Sequence, residues 1–184
     1  LRELSLHLLD IAENSISAGA KNIQITVRED TAADRLYLSV NDDGKGMDEV
    51  MLAQVTDPFI TTRTTRKVGL GIPLLKAAAE ACNGYFKITS KPGKGTLVEV
   101  EFQRNHIDRM PLGNLSATLL TLLVGNPAIH WLFVVSYNDE TFTLDDALIK
   151  KELDDIPLSD PLVISFLRDL LESGIRSIQV ETIN

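Results

Sequence analysis

The chain has 184 residues, an apolar fraction of 44% and a formal net charge of −8. That length supports one packed domain, or one with a small appendage, and the negative balance argues against a general nucleic-acid surface, which needs a basic face. A single cysteine, Cys82, excludes an internal disulfide; with no signal-peptide pattern and no apolar run near the ~20 residues that span a bilayer, the expectation is a cytoplasmic protein without a membrane span.

In chain order, Leu4 to Ala18 reads as a helix whose buried side carries Leu4, Leu8, Ile11 and Ile16, with Gly19 ending it. Ile23, Ile25 and Val27 alternate with polar residues, as do Leu36, Leu38 and Val40, and the polar loop Glu29–Asp34 joins the two runs as an antiparallel hairpin. Asp48–Val55 reads as a short helix, and Asp57–Val68, rich in Thr, Arg and Lys, as a loop. Gly69–Cys82 is a second long helix with Leu70, Leu74, Ala77, Ala78 and Ala81 on one face. Pro73 is tolerated in its first turn, where no amide hydrogen is owed, and Asn83-Gly84 closes it. Phe86 and Ile88, then Val98, Val100 and Phe102, give a second hairpin turned at Pro92–Gly95. Helices alternating with antiparallel hairpins predict an α+β, two-layer sandwich over residues 1–104.

A polar connector, Asn105–Pro111, leads to residues 105–184, read as a small α+β appendage. It holds a helix at Leu112–Val124, a strand at Trp131–Tyr137 turned at Asn138-Asp139, and a strand at Thr141–Leu144. Helices follow near Asp145–Leu153 and Pro161–Ser173; Gly174 stops the last one, and Ile175–Val180 reads as a terminal strand.

Three groups of residues carry chemistry. Asn41–Asp48, NDDGKGMD, places Asp43 and two glycines, Gly44 and Gly46, directly after an alternating apolar strand. Such a strand end delivers a carboxylate on rigid backbone, and the glycines permit a tight turn and close ligand approach. On the first helix Asp10 and Asn14 are neighbours on one face, with Ser17 a turn further on, a set that suits a hard cation such as magnesium. A basic loop with Arg63, Arg66 and Lys67 runs into Val68-Gly69-Leu70-Gly71, where a helix N-terminus offers free amides to phosphate. Thr96, at the start of a strand, adds a hydroxyl. His7 reads as a packed or solvent-facing residue of the first helix, His106 and His130 lie in the connector and the appendage, and Cys82, Trp131, Phe133 and Tyr137 read as core.

Together these segments resemble the ATP-binding domain of gyrase, Hsp90, sensor histidine kinases and MutL, the GHKL or Bergerat fold, and most closely its histidine-kinase-like version. DIAENSISAGA resembles the first box, NDDGKGMD the second, and DPFITTR with VGLGIPLLKAAAEACNGYFKITSKPGKGTLVEVEF the remainder, so that the likeness covers Leu4–Phe102. It implies ATP and Mg²⁺ as ligands. Asp43 would accept the adenine amino group, a water bridging to Thr96; Gly44 belongs to the same box, and Gly46 and Met47 would line the base. Asn14 would hold magnesium, Gly69, Leu70 and Gly71 would give amides to the phosphates, Phe59 would pack at a lid hinge, and Arg63, Arg66 and Lys67 would lie on the lid. The lid is expected to be mobile without nucleotide and to close over the triphosphate.

Departures from the family pattern bear on activity. Asp10 stands where hydrolysing branches carry Glu and histidine kinases Asn, and Ser17 stands where many histidine kinases carry Lys. Three roles follow: a kinase-like regulator of a protein partner, of histidine-kinase or anti-sigma-factor type; an ATPase switch with Asp10 as general base; and a non-enzymatic nucleotide sensor. The chain shows no acceptor-histidine hairpin for autophosphorylation. Relatives dimerise through segments outside the nucleotide fold, so a homodimer is an expected assembly.

Overall fold

The computed structural model describes residues 3–57, 59 and 71–180. Its elements are α1 (Leu4–Ser17), β1 (Asn22–Asp30), β2 (Arg35–Asp42), α2 (Glu49–Val55), α3 (Gly71–Ala81), β3 (Tyr85–Lys91), β4 (Gly95–Gln103), α4 (Leu115–Gly125), β5 (His130–Tyr137), β6 (Glu140–Asp145), α5 (Asp146–Leu153) and α6 (Pro161–Val180). The strands form one six-stranded sheet in the order β3-β4-β2-β1-β5-β6. Every neighbouring pair is antiparallel except β1 with β5, which run parallel.

Period-two patterning decides which face is covered. Ile23, Ile25 and Val27 of β1, Leu36, Leu38 and Val40 of β2, Val98, Val100 and Phe102 of β4, and Trp131, Phe133 and Val135 of β5 are all buried in one continuous core. Helices close over that face: α1 on β2, α3 on β3 and β4, and α6 on β5 and β6, with α4 bridging α1 and α6. The alternate strand positions are more polar. There Tyr37 donates to Glu99 at 2.8 Å while the Arg28 guanidinium sits 4.6 Å from the Tyr37 ring centroid. The result is the α+β sandwich expected from the alternation of helices and hairpins.

Residues beyond the expected boundary at 104 extend this same sheet. β5 pairs along β1 from Asn22↔His130 to Glu29↔Tyr137, and Trp131 and Phe133 share the core with Leu4 and Ile25. The connector also completes α1, whose first amides, Leu4 N and Ser5 N, donate to the carbonyls of Pro111 and Leu112, each at 2.9 Å. These bonds take the place of a side-chain cap, which Glu3 does not supply. A parallel partner a hundred residues away leaves no local turn signal, so the continuity was not readable from the strand patterns alone.

Two local expectations fail. Gly174 does not end the last helix, and residues 175–180 are helical rather than extended. Val163, Leu167, Leu171 and Ile178 continue one buried stripe at helical spacing, with Ile175 packed beside it. Gly174 instead lets α6 lie against the ring of Phe142, which a Cβ there would overlap. On α3 the buried stripe is Ile72, Leu75 and Ala79, whereas Leu74 is exposed. An alanine-rich helix has a weak apolar period, and the larger Ile72 and Leu75 decide which side turns inward. Among the described residues no helix is long and apolar enough to cross a membrane.

Candidate functional site

The strand β2 runs toward the last turn of α1 and sets which acid faces inward. Leu36, Leu38, Val40 and Asp42 share one face, so the strand carries the Asp42 side chain into the helix layer, where it is 8% exposed. One of its oxygens accepts from the Ser15 hydroxyl at 2.6 Å and the other from the Gly44 amide at 2.8 Å. Asp43, one residue on, is exposed. Its carboxylate accepts from Lys21 N at 2.8 Å, Asn22 N at 2.9 Å and Asn22 Nδ2 at 2.7 Å. The Asn22 side chain, and after it the backbone amides of Asn22 and Lys21, hold the Asp43 carboxyl below the usual carboxylate range against the opposing effect of desolvation.

A pocket of about 150 Å³ opens between the end of α1, the turn after β2, α2 and the start of α3. Ile11, Met47, Met51, Val55, Ile72, Ile88 and Val98 give it apolar walls, and Asp42, Thr96, Asn14 and Ser17 its polar groups. Asp43 does not line it. The inward acid is Asp42, which corrects the expectation from sequence: of the two adjacent acids ahead of Gly44 and Gly46, Asp42 is buried and lines the pocket while Asp43 is exposed. The same alternation that identified β2 marks Asp42 as core-facing.

The turn itself is tightly specified. Gly46 has φ +68°, and a Cβ there would overlap the Lys91 carbonyl, so glycine is required by both conformation and space. Met47 N donates to Ser90 Oγ at 2.8 Å, and Ser90 Oγ donates to the Gly95 carbonyl at 3.0 Å. The 2.8 Å contact between Ser90 and Thr96 hydroxyls therefore has Thr96 as donor, because Ser90 has spent its only hydrogen. Thr96 is thus held across from Asp42, its partner in the β2–β4 register, with its own lone pairs left to accept.

Asn14 and Ser17 lie at the pocket on the last turns of α1. Asp10, one turn earlier, faces the first residue of α3: a Cβ placed on Gly71 would be 3.4 Å from its Oδ2. Of the residues expected at the site, the fold brings Asn14, Gly46, Met47 and Thr96 to the pocket, with Gly44 buried beside Ala18 and bonded to Asp42. Phe59 is 92% exposed and does not line the pocket. Arg63, Arg66, Lys67, Gly69 and Leu70, and with them the expected lid, lie outside the described residues. Sequence reasoning missed Asp42, together with Ser15 and Ser90, which orient the polar groups from behind.

Residues 1–106 match the family model of the histidine kinase-, DNA gyrase B- and HSP90-like ATPase. The chain belongs to this family. Among its relatives, the sensor protein kinase FleS of Pseudomonas aeruginosa is 43% identical over 89 residues, which are 48% of this chain and 22% of FleS. Sporulation kinase C of Bacillus subtilis is 32% identical over 98 residues, 53% of this chain and 23% of that kinase. The chain thus spans about a quarter or less of the curated relatives it matches. A crystal structure of full-length ShkA in complex with AMPPNP overlaps 53% of this chain and 20% of ShkA, with a TM-score of 0.43 and 23% identity. The histidine-kinase-like ATPase domain is an ATP-binding unit, and its matched residues end just beyond β4. Strands β5 and β6 and helices α4 to α6 are built onto that unit by this chain.

Proposed function

We propose that the pocket binds ATP with Mg²⁺ and that the bound state regulates a partner protein in the cytoplasm, by kinase-like transfer of the histidine-kinase or anti-sigma-factor type. The observation that carries the nucleotide reading is Asp42. A carboxylate has about four lone-pair sites, and Ser15 and Gly44 occupy two. Asp42 lines the pocket together with the apolar Met47, Ile88 and Val98. That combination suits a flat heterocycle bearing an exocyclic amine, as adenine does, with Thr96 accepting through water from the same edge.

The donors for a cation are hard oxygens from Asn14 and, one turn away, Asp10, a set that fits Mg²⁺, which takes few protein ligands and keeps waters and phosphate oxygens. When bound, the ion would neutralise phosphate charge. The start of α3 at Gly71 offers amides to the phosphates, and Arg63, Arg66 and Lys67 offer cations. Phosphoryl transfer depends chiefly on such positioning and neutralisation, so an acceptor brought by a partner would suffice.

One observation favours a second reading. The Asp10 carboxylate faces the α3 N-terminus, the phosphate end of the site, where it could orient a water and make the domain an ATPase switch. Incubation of the protein with γ-labelled ATP and candidate partners separates these. Label on a partner supports transfer; release of phosphate abolished by Asp10→Asn supports the switch. Binding without either leaves a nucleotide sensor and refutes both enzymatic readings.

A further inference from the structure

A second cavity, of about 450 Å³, opens on the other side of α1, with the last turns of α4 as its far wall. That volume is in the range of small-ligand sites. Asn14 and Ser17 line both this groove and the pocket that holds Asp42, so the two cavities meet at the cation end of the nucleotide reading. Helix α1 lies within the residues matched by the family model and α4 lies beyond them. The groove is therefore made by the docking of α4 onto the ATP-binding unit.

Its chemistry is one-sided. Glu13 is exposed and is the only charged residue among the described residues that line it. Thr121 spends its hydroxyl hydrogen on the Ala117 carbonyl at 2.8 Å, and Asn126 Nδ2 donates to the Leu122 carbonyl at 3.0 Å. What these two side chains have left to offer is chiefly acceptor oxygen. Helix α4 ends here with no basic residue in its last turn, so its own side chains do not offset the negative end of its dipole. The wall is also fixed in place. The Asn126 carbonyl accepts from the indole of the buried Trp131 at 3.1 Å and from Ile129 N at 3.2 Å. Leu9, Ile16 and Leu122 add apolar lining.

Acceptors and one carboxylate beside apolar surface suit a long cationic side chain, whose methylenes pack while its head is hydrogen-bonded. A hydrated divalent ion favours several hard oxygens and gains nothing from leucine and isoleucine. An anionic group would meet Glu13 and the end of α4. The net charge of −8 adds long-range attraction for a basic partner.

We propose that the groove between α1 and α4 receives an arginine or lysine side chain of the partner protein, held by Glu13 and the end of α4, with its charge beside the nucleotide phosphates at Asn14 and Ser17. The preference for a cation stands on the groove's own lining; the coupling to phosphate rests on the nucleotide reading above. With both in place, the side chain offsets phosphate charge, and ATP and the partner strengthen each other's binding by one shared factor. The partner that the site regulates then also completes it.

The test is NMR titration of the full chain at neutral pH and constant ionic strength with N-acetylarginine methylamide. Its uncharged analogue of the same shape, N-acetylcitrulline methylamide, is the control, both at up to roughly 50 mM, enough to register millimolar binding. The arginine probe should saturate shifts of Ser17, Gly125 and Asn126, and the citrulline probe should not. Glu13→Gln should weaken the response roughly three- to fivefold, the upper range for an exposed ion pair. Thr121→Lys, which puts a cation on the wall itself, should abolish it. Saturating ATP with Mg²⁺ should raise the affinity for the arginine probe by about fivefold or more, the lower end of coupling between linked sites. Equal responses to the two probes, no saturable shift at these residues, or an unchanged response in Glu13→Gln would overturn the proposal. The same shifts from millimolar Mg²⁺ alone would assign the groove to a metal ion and overturn it too. ATP that binds without altering probe affinity would overturn the coupling. A groove that takes the arginine probe in a protein that binds no ATP would sustain the docking site and refute the nucleotide reading instead.

Discussion

Replacing Asp42 by Asn removes the charge of the pocket's buried carboxylate while keeping its size. The variant retains one oxygen, which Ser15 or Gly44 can claim, but puts an NH₂ where the other oxygen accepted. Facing the exocyclic amine of adenine, that group opposes donor with donor. The bond lost is one to a charged acceptor in a site 8% exposed, worth about 1.5–3 kcal/mol, or roughly 10- to 100-fold in affinity. Asp43→Asn is the matched control: its carboxylate lies outside the pocket and keeps an acceptor oxygen for Lys21 N and Asn22 N, so its effect should stay within about threefold, below the worth of one charged hydrogen bond. Calorimetric titration with ATP and Mg²⁺ at neutral pH reads both, and circular dichroism verifies folding. If Asp43→Asn abolished binding while Asp42→Asn bound normally, the assignment of the inward acid would be refuted.

Gly46→Ala must hold a side chain at φ +68° against the Lys91 carbonyl; it should cost about 2 kcal/mol or more, a fall of roughly 4–8 °C in melting temperature, and an unchanged melting curve would contradict the described turn. Trp131→Ala deletes the largest fully buried side chain, at the β1–β5 junction, and should cost about 3–5 kcal/mol in a single calorimetric transition of the whole chain. Two separate transitions, only one of them shifted, would show that residues 105–184 fold as an independent unit. Asp43 has a carboxyl held below its ordinary value of 3.8, so its stabilising contribution is complete above that pH and is lost as pH falls through the lowered folded value. Urea unfolding should therefore find Asp43→Asn less stable than wild type at pH 6, with the gap closing well below pH 3.8; a gap that widens in acid has the wrong sign.

Strand alternation and helix spacing made much of this molecule legible. Ile23, Ile25 and Val27 against Leu36, Leu38 and Val40 gave the first hairpin, and Phe86, Ile88, Val98 and Val100 the second, because both are local antiparallel pairs with readable turns. The β1–β5 pairing was not legible, since parallel neighbours are joined through intervening elements and signal nothing at either strand. Gly174 read as a stop because glycine commonly ends helices, yet here a close approach to Phe142 requires it, a tertiary reason that no local rule contains. At the site, the glycine motif and the Asn14 face pointed to the correct region. The choice between two adjacent acids needed the strand phase: Val40 inward makes Asp42 inward. Ser15 and Ser90 were invisible as supports because a lone hydroxyl carries no pattern, and only the fold sets them behind Asp42 and Thr96.

The central claim, that this pocket holds the adenine of ATP against Asp42, is tested most directly by nuclear Overhauser contacts between bound nucleotide and isotopically labelled protein in the presence of Mg²⁺. The adenine H2 and H8 protons should show contacts to the methyl groups of Met47, Ile88 and Val98, which wall the pocket, and these should vanish in Asp42→Asn at the same nucleotide concentration. Saturable ATP binding whose adenine contacts fall elsewhere, or no binding at millimolar ATP and Mg²⁺, would contradict it.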